Sequence, residues 1–451
     1  SFGEWLGRLD GAVAVNAAFM VGHCALRRSV MGARAVGEEA TPDELQRMVE
    51  LLHASLDEGA IGLSTSRSYT HSDSDGAPVP SRFATREEVL ALCEALGEHE
   101  GTSLEFITDG CLNGFSDDEV DLMAEMSLTA GRPLNWNVFT IDSKEPERYA
   151  QQLEASNEAA RRGAHVVALT MPVLVGMTMS FHSYSPIFQL PDWGAILGLP
   201  LPERMLALRD PETRRRMEER ARSREAGVFA RVADWDHFQI GETFAPENDG
   251  LTGRVVKDIA AERGAASFDT LLDIVLADEL RTVLWPLPPD NDDASWALRA
   301  RAWDHPYTLL GGSDAGAHLD RMCGAPYTTA FLADCLRGRQ LITVEQAVAA
   351  MTDAPARLFG LRNRGRLADG YFADVVVFDP ATVGPGEIRM VDDLPGGSTR
   401  LFADAAGIDH VLVNGRAIVE NGAPTSELPG TILHAGRDTK TVEIPGRPGA
   451  S

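Results

Sequence analysis

The sequence predicts an α/β protein with one large barrel of parallel strands and a smaller β domain. Between residues 12 and 140, apolar strand-like runs alternate with helical patterns, which is typical of βα units on a parallel sheet. After residue 364 the pattern changes to short strands and tight turns. The length of 451 residues is too great for one small core, and it suits a barrel with a minor domain.

The first half of the chain predicts successive strands at residues 12–22, 60–64, 103–107, 133–139 and 165–170. Three of the intervening helices begin with a capping-box pattern, in which Ser or Thr precedes Glu by three residues. The three pairs are Thr41 with Glu44, Thr85 with Glu88, and Ser116 with Glu119. A further helix is predicted over residues 146–162. Such regular alternation indicates repeated βα units.

The regular pattern breaks at residues 171–250, a segment rich in Met, Pro and aromatic residues with a charged helix over 210–224. We interpret it as an irregular insertion over the barrel mouth, because long loops in compact domains are usually lids or binding loops. Helices over 253–263 and 267–280 lead to a strand near Val283. The strand that begins at Thr308 precedes two helices at 343–351 and 353–361, the second with Pro355 in its first turn.

The barrel is therefore expected to span residues 1–363, and the small β domain residues 364–426. Within the small domain, residues 374–379 and 410–419 read as β segments, and Asn414-Gly415 is a strong signal for a two-residue hairpin. The tail from residue 427 to 451 is predicted to be an extended arm.

The composition of the chain excludes some classes of binding partner. With 67 acidic and 41 basic residues, the formal charge of -26 argues against binding to nucleic acid or to an anionic membrane. No apolar run approaches the roughly 20 residues of a membrane helix, and no signal peptide is recognisable, so a cytoplasmic location is expected. The 5 cysteines are scattered without CxxC spacing, which favours reduced thiols over disulfides or a zinc knuckle. Assembly into a homo-oligomer is compatible with this composition.

A glycine-rich loop follows the Thr308 strand and carries the first catalytic candidate. Gly311, Gly312 and Gly316 allow sharp turns and close approach of a ligand. Asp314 would then lie at the carboxyl end of the strand, where barrel enzymes keep catalytic groups, with His318 shortly after it. The alternative is a structural turn in which Asp314 caps the next helix.

Several segments resemble a known family. Residues 364–379, RGRLADGYFADVVVFD, resemble the strand with which metal-dependent amidohydrolases leave the barrel for a β-sandwich, and VNGR at 413–416 resembles the hairpin that follows. VGHCALR at 21–27, VMG at 30–32, GAIGLSTS at 59–66 and GSDAGAH at 312–318 are similar to the D-aminoacylase branch, the N-acyl-D-amino-acid deacylases.

This resemblance implies a distorted TIM (β/α)8 barrel with a small β-sandwich. It further implies that one or two divalent metals, usually zinc, activate a water for attack on an amide carbonyl. A carboxylate after the eighth strand then takes the water's proton and passes it to the leaving nitrogen. Asp314 matches that position. Independently, amide nitrogen is a poor leaving group until it is protonated, so the chemistry needs such a carboxylate.

The chain also departs from the family pattern. None of the 11 histidines forms the HxH pair of the first strand, and the glycine-flanked metal-bridging cysteine is missing. We therefore expect an upstream segment of the same protein, roughly 100 or more residues long, to carry that strand and half of the β domain. Where the family has histidines on its fifth and sixth strands, this chain has Glu105 and Asn135 or Asn137. Because asparagine is a poor zinc ligand, we expect at most one zinc or other divalent metal, bound by Asp314, Glu105 and ligands outside this chain.

Other polar residues are candidates for binding substrate. Arg67 and Tyr69 are placed to hold a substrate carboxylate, since arginine binds carboxylates in a bidentate manner, and Arg321 is a competing choice. His182 in the insertion and His318 complete the set. His23, at the end of the first strand, is expected either to line the mouth or to bond the backbone. Asn135 and Asn137 would line the barrel if Trp136 packs outward.

The leading hypothesis is a hydrolase that cleaves the carbon–nitrogen bond of an N-acyl amino acid or a similar small linear amide. One alternative is a cyclic-amide hydrolase of the hydantoinase or dihydroorotase type. Many of those carry a carbamylated lysine, but Lys144 and Lys257 are predicted in loop or helix, which favours the deacylase. The other alternative is a non-catalytic, amidohydrolase-like binding subunit, which the missing histidines favour and the Asp314 loop opposes.

Overall fold

The centre of the protein is a six-stranded sheet in which every pairing is parallel. The computed structural model describes residues 1–73, 76–316 and 319–446. In spatial order the strands are β1 (Val21–Gly22), β2 (Gly62–Ser66), β3 (Ser103–Ile107), β4 (Leu134–Trp136), β5 (Val166–Thr170) and β8 (Thr308–Leu310). The predicted α/β class with a parallel sheet is confirmed.

Helices follow the strands along the chain, and none in the described ranges is long and apolar enough to cross a bilayer. They are α1 (Phe2–Gly7), α2 (His23–Met31), α3 (Pro42–Asp57), α4 (Arg86–Gly97), α5 (Gly110–Asn113), α6 (Asp117–Ala130), α7 (Pro146–Arg161), α8 (Trp193–Leu197), α9 (Leu201–Arg209), α10 (Pro211–Ala221), α11 (Val256–Arg263), α12 (Ser267–Ala277), α13 (Asp293–Trp303), α14 (Tyr327–Arg337), α15 (Val344–Met351) and α16 (Asp353–Leu358).

The two faces of the parallel sheet differ in chemistry. Leu104, Phe106 and Trp136 are fully buried in the core between the sheet and its helices. Side chains alternate along a strand, so the residues between them point to the other face. There Glu105 of β3 lies in register with Asn135 of β4. The sheet thus presents a row of polar groups on the face opposite to its helical core.

The chain's beginning differs from the predicted strand over residues 12–22. Only Val21–Gly22 pairs with the parallel sheet, while Ala17 forms a parallel bridge with Ile432 of the tail. The apolar run before Val21 is therefore used for contact with the tail rather than as a sheet strand.

The segment predicted as an irregular insertion has a core of its own. Trp193 and Trp235 stack with ring centroids 5.4 Å apart, and Phe268 packs against both rings. Strands β6 (Phe238–Ile240) and β7 (Leu284–Pro286) pair antiparallel in this unit. The strand predicted near Val283 is thus real, but it lies outside the parallel sheet because its partner comes from the insertion.

The carboxyl-terminal part contains small antiparallel sheets. Their strands are β9 (Val375–Phe378), β10 (Gly384–Pro385), β11 (Arg389–Leu394), β12 (Ser398–Phe402), β13 (Ala405–Ala406), β14 (Ile408–Val413), β15 (Arg416–Glu420) and β16 (Ala423–Pro424). The largest has the order β16-β15-β14-β9. Asn414 and Gly415, with φ of 50° and 81°, form the tight turn between β14 and β15, which confirms the predicted hairpin.

The part of the tail that the structure describes, residues 427–446, forms no helix and packs firmly against the rest of the protein. Gly101 N donates to Thr441 Oγ1 at 3.0 Å, and Gly446 N donates to Gly163 O at 2.7 Å. Gly101 and Gly163 lie in the loops that enter β3 and β5. The described part of the tail therefore runs along the amino-terminal edge of the parallel sheet.

Candidate functional site

Glu105 is the central polar group on the open face of the sheet. Asn137 Nδ2 donates to Glu105 Oε1 at 2.7 Å, and Asn135 Nδ2 donates to Asn137 Oδ1 at 3.1 Å. Trp136 packs edge-on against Phe115 in the helical core, so both asparagines face the opposite way, as predicted. Burial raises the pKa of Glu105, and the hydrogen bond from Asn137 only partly offsets this effect.

Asp314 lies in the glycine-rich loop that leaves β8. Its φ of 49° is in the left-handed region, and its side chain is exposed to solvent. The alternative of a helix cap is wrong, because Pro326 and not Asp314 occupies the N-cap position of the next helix, α14. The negative charge of Asp314 contributes to the raised pKa of Glu105. Glu105 and Asp314 thus belong to β3 and to the loop after β8 of the same parallel sheet.

These carboxylates are an incomplete ligand set for zinc. Structural and catalytic zinc sites use at least three protein ligands, with nitrogen or sulfur donors favoured. Across residues 1–73, 76–316 and 319–446, no three His, Cys, Asp or Glu side chains are grouped so as to hold a metal. His318 lies outside the described residues. The described donors alone therefore do not fit a complete zinc site.

The burial of the Glu105 carboxyl group leads to a stability prediction for Glu105→Gln. The raised pKa means that ionised Glu105 costs folding free energy as the pH rises through that pKa. Glutamine keeps the acceptor for Asn137 without the charge, so the variant should be more stable than the wild type at pH 7. Urea unfolding of chelator-treated protein measures this difference.

The difference should vanish at acidic pH, where Glu105 is protonated in both states. Glu94→Gln, an exposed change on α4, serves as the matched control and should leave stability unchanged. A less stable Glu105→Gln protein at pH 7 would mean that the carboxylate is already well compensated.

Arg67 and Tyr69 lie beyond β2 but do not share one pocket. The backbone N of Arg67 donates to Ile107 O at 2.8 Å and so continues the hydrogen bonding between β2 and β3. Arg67 also lines a cleft together with Arg82 and Glu87. Tyr69 instead packs edge-on against Phe229 of the insertion, with centroids 6.1 Å apart. No described contact joins Arg67 to Glu105 or Asp314.

Arg321 and His182 come together in a different cleft of about 270 Å³. Arg321 pairs with Asp320 at 2.8 Å and donates to Tyr184 O at 2.9 Å, while its own carbonyl accepts from Thr178 N at 2.7 Å. The Arg321 guanidinium therefore ties the loop after β8 to the insertion. His182 is exposed beside it.

Sequence reasoning missed a buried charge cluster between α2, α4 and β2. His23 Nε2 contacts Glu88 Oε1 at 2.8 Å, and Arg27 Nη1 donates to Glu88 Oε2 at 2.5 Å. His23 Nδ1 contacts Thr65 Oγ1 at 2.8 Å, so His23 neither lines the mouth nor bonds the backbone. Thr85 accepts from Glu88 N as predicted, but the Glu88 side chain turns inward and does not complete the capping box. The boxes at Thr41 and Ser116 are complete.

Comparison with known proteins adds an evolutionary relationship. A sequence model of the amidohydrolase family matches residues 2–419. D-aminoacylase of Alcaligenes xylosoxydans xylosoxydans is 28% identical over 444 residues, which cover 96% of this chain and 73% of that protein. N-acyl-D-glutamate deacylase of the same organism is 42% identical over 149 residues, covering 32% of this chain and 28% of that protein.

A solved D-aminoacylase structure is also similar. Its TM-score is 0.55 at 27% identity, and the match covers 96% of this chain and 75% of that one. That structure is described as containing a binuclear metal centre with one-metal activation and second-metal attenuation.

Proposed function

Because the chain belongs to the amidohydrolase family, we propose that it hydrolyses the carbon–nitrogen bond of an N-acyl amino acid or a similar linear amide. The observation that carries this proposal is that Glu105 lies on β3 and Asp314 in the loop that leaves β8, two strands of one parallel sheet whose carboxyl ends share an edge. Barrel enzymes bind substrate at the carboxyl end of such strands. The parallel strands are proposed to belong to a distorted (β/α)8 barrel over residues 1–363, followed by a β-sandwich half-domain over 364–426.

Asp314 is proposed as the group that moves the proton. The oxygen of a water attacks the amide carbonyl carbon, and Asp314 accepts the proton that this water loses. Asp314 then delivers the proton to the amide nitrogen as the carbon–nitrogen bond breaks, which yields a carboxylic acid and an amine. Its exposed position on a glycine-rich loop gives both water and substrate access. Arg67, Tyr69, His182, His318 and Arg321 remain the proposed substrate contacts.

The experiment that tests the function is a substrate panel on the purified protein. N-acetyl derivatives of D- and L-amino acids and a cyclic hydantoin are each incubated with the protein, with and without added zinc, and released amine or ring-opened product is measured. Deacylation of linear amides is expected. Exclusive opening of the cyclic amide would overturn the proposal in favour of the cyclic-amide hydrolase.

A non-catalytic binding protein is the second candidate. It is favoured by the lack of a three-ligand metal group within the described parts of the chain. In that case the panel should yield no product, while calorimetry would still detect binding of the N-acyl amino acids. The hypothesis of a cyclic-amide hydrolase has less support, because such enzymes are expected to carry a carbamylated lysine at the end of a strand. Lys144 lies in the loop before α7, and Lys257 lies within α11.

Metal content is predicted to be at most one tightly held divalent ion per protein. Glu105 and Asp314 supply only hard oxygen donors, and a second zinc ion would need further nitrogen or sulfur ligands. Plasma mass spectrometry after exhaustive dialysis measures the content. Glu105→Ala and Asp314→Ala should each lower metal affinity if both are ligands, whereas Glu87→Ala should not. Two retained zinc ions per protomer would contradict the prediction.

A further inference from the structure

An open cleft of about 720 Å³ lies beside the carboxyl end of the sheet, outside the Glu105 site. Its walls are the segment around Asn113, which follows β3, the start of α7, and Arg231 of the insertion. Lys144, Arg148 and Arg231 bring three positive charges to it, against the carboxylates of Glu145 and Glu147. Asp142 and Asp290 add two further carboxylates near Arg148, so the cleft clusters three cations without a net excess of positive charge.

Glu145 occupies the centre of the positive groups. Its carboxylate pairs with Arg148 at 2.8 Å and with Arg231 at 2.9 Å. Two guanidinium groups that converge on one carboxylate form the arrangement by which proteins recognise carboxylate ligands. The Glu145 side chain is 40% exposed, so it can turn outward when a ligand replaces it.

Arg148 shows that the site is built into the protein rather than formed on its surface. Its side chain is only 9% exposed, and it donates to Leu112 O at 2.9 Å and to Thr140 Oγ1 at 3.0 Å. Its buried Nε has no hydrogen-bond partner among the described residues. Burial and the nearby charge of Arg231 lower the pKa of Arg148. A buried arginine with an unused donor and a cationic neighbour is expected to attract an anion.

We propose that this cleft binds the carboxylate of a small molecule, in the place that Glu145 fills in the free protein. The anion would replace one carboxylate on two arginines with another, and Lys144 would add a further contact. Lys144 Nζ has one long hydrogen bond, 3.4 Å to Pro289 O, so it is available for such a role. This inference concerns binding and does not depend on amide hydrolysis.

Calorimetric titration of the full chain with glutarate at low salt tests the proposal. Glu145→Gln removes the internal competitor, and it should tighten glutarate binding about tenfold. Arg231→Gln removes a guanidinium whose described partner is Glu145, and it should weaken binding about tenfold. Arg231 is 40% exposed, so this change should leave the fold intact.

Matched controls lie on the same helix, away from the cleft. Glu154 and Arg161 of α7 pair with each other at 2.6 Å in solvent. Glu154→Gln and Arg161→Gln therefore change the same charges as the test variants, and they should leave glutarate binding unaltered. Thermal unfolding of all four variants verifies that they fold.

A second pair of ligands distinguishes an N-acyl amino acid from a free dicarboxylate as the source of the carboxylate. If the anion is the side-chain carboxylate of an N-acyl acidic amino acid, N-acetylglutamate should bind more tightly than N-acetylglutamine, and Arg231→Gln should abolish the gap. If it is a free dicarboxylate, glutarate alone should respond to both variants. The proposal is overturned if no ligand responds, or if Glu145→Gln lowers the melting temperature without tightening binding, since Glu145 would then be only a structural ion pair.

Discussion

Asp314→Asn should lower the turnover of amide hydrolysis by about two to four powers of ten, the range usual for the loss of a general acid or base. The amide side chain can no longer accept the proton from water or deliver it to the leaving nitrogen. Substrate binding should change far less, because Asn keeps the size and polarity of Asp. Steady-state kinetics on the best substrate of the panel would show the loss in kcat rather than in KM.

The fold should tolerate this change. The φ of Asp314 is 49°, and asparagine is among the few residues other than glycine that adopt such a conformation readily. Asp192, with φ of 68° in the insertion, offers a matched control. Asp192→Asn makes the same chemical change at another left-handed position, and it should keep nearly full turnover. If Asp314→Asn also keeps it, Asp314 has no part in the proton transfer.

The parts of the fold that follow from local patterns are visible in the sequence. Strand β3 has its predicted bounds, Ser103–Ile107, because a short apolar run flanked by polar loops has few alternatives. The hairpin at Asn414-Gly415 was predictable since two adjacent residues with positive φ demand those residue types. Both features depend on neighbours in sequence.

The parts that depend on distant partners were not predictable. Ile432 reaches Ala17 across nearly the whole chain, and no local signal announces that pairing. At the site, the alternation around Trp136 predicted that Asn137 faces the interior, but only the register of β3 and β4 brings it to Glu105. For Glu88, the local pattern predicted the wrong position of the carboxylate. Its spacing from Thr85 fits a capping box, whereas burial beside Arg27 determines where its carboxylate points.

Glu88→Gln should destabilise the protein by about 3 to 5 kcal/mol, the cost usual for removing one partner of a buried ion pair. The Glu88 and Arg27 side chains are 2% and 0% exposed, so the guanidinium would be left with a buried, uncompensated charge. Its remaining bonds, to Ala35 O and Glu38 O, satisfy hydrogen-bonding capacity but supply no counter-charge. Urea unfolding at pH 7 measures the loss. Glu87→Gln, one position earlier on α4 and facing solvent, is the matched control.

The loss should also depend on pH in a defined direction. Burial alone would raise the pKa of Glu88, but the hydrogen bonds from His23 and Arg27 outweigh it and hold that pKa below the ordinary value. A lowered pKa contributes stability above the ordinary glutamate range, and this contribution disappears as the pH falls through the lowered pKa. The gap between wild type and Glu88→Gln should therefore be full at pH 7 and shrink at acidic pH. A gap that is as small as that of Glu87→Gln at pH 7 would show that the cluster contributes packing but no net charge stabilisation.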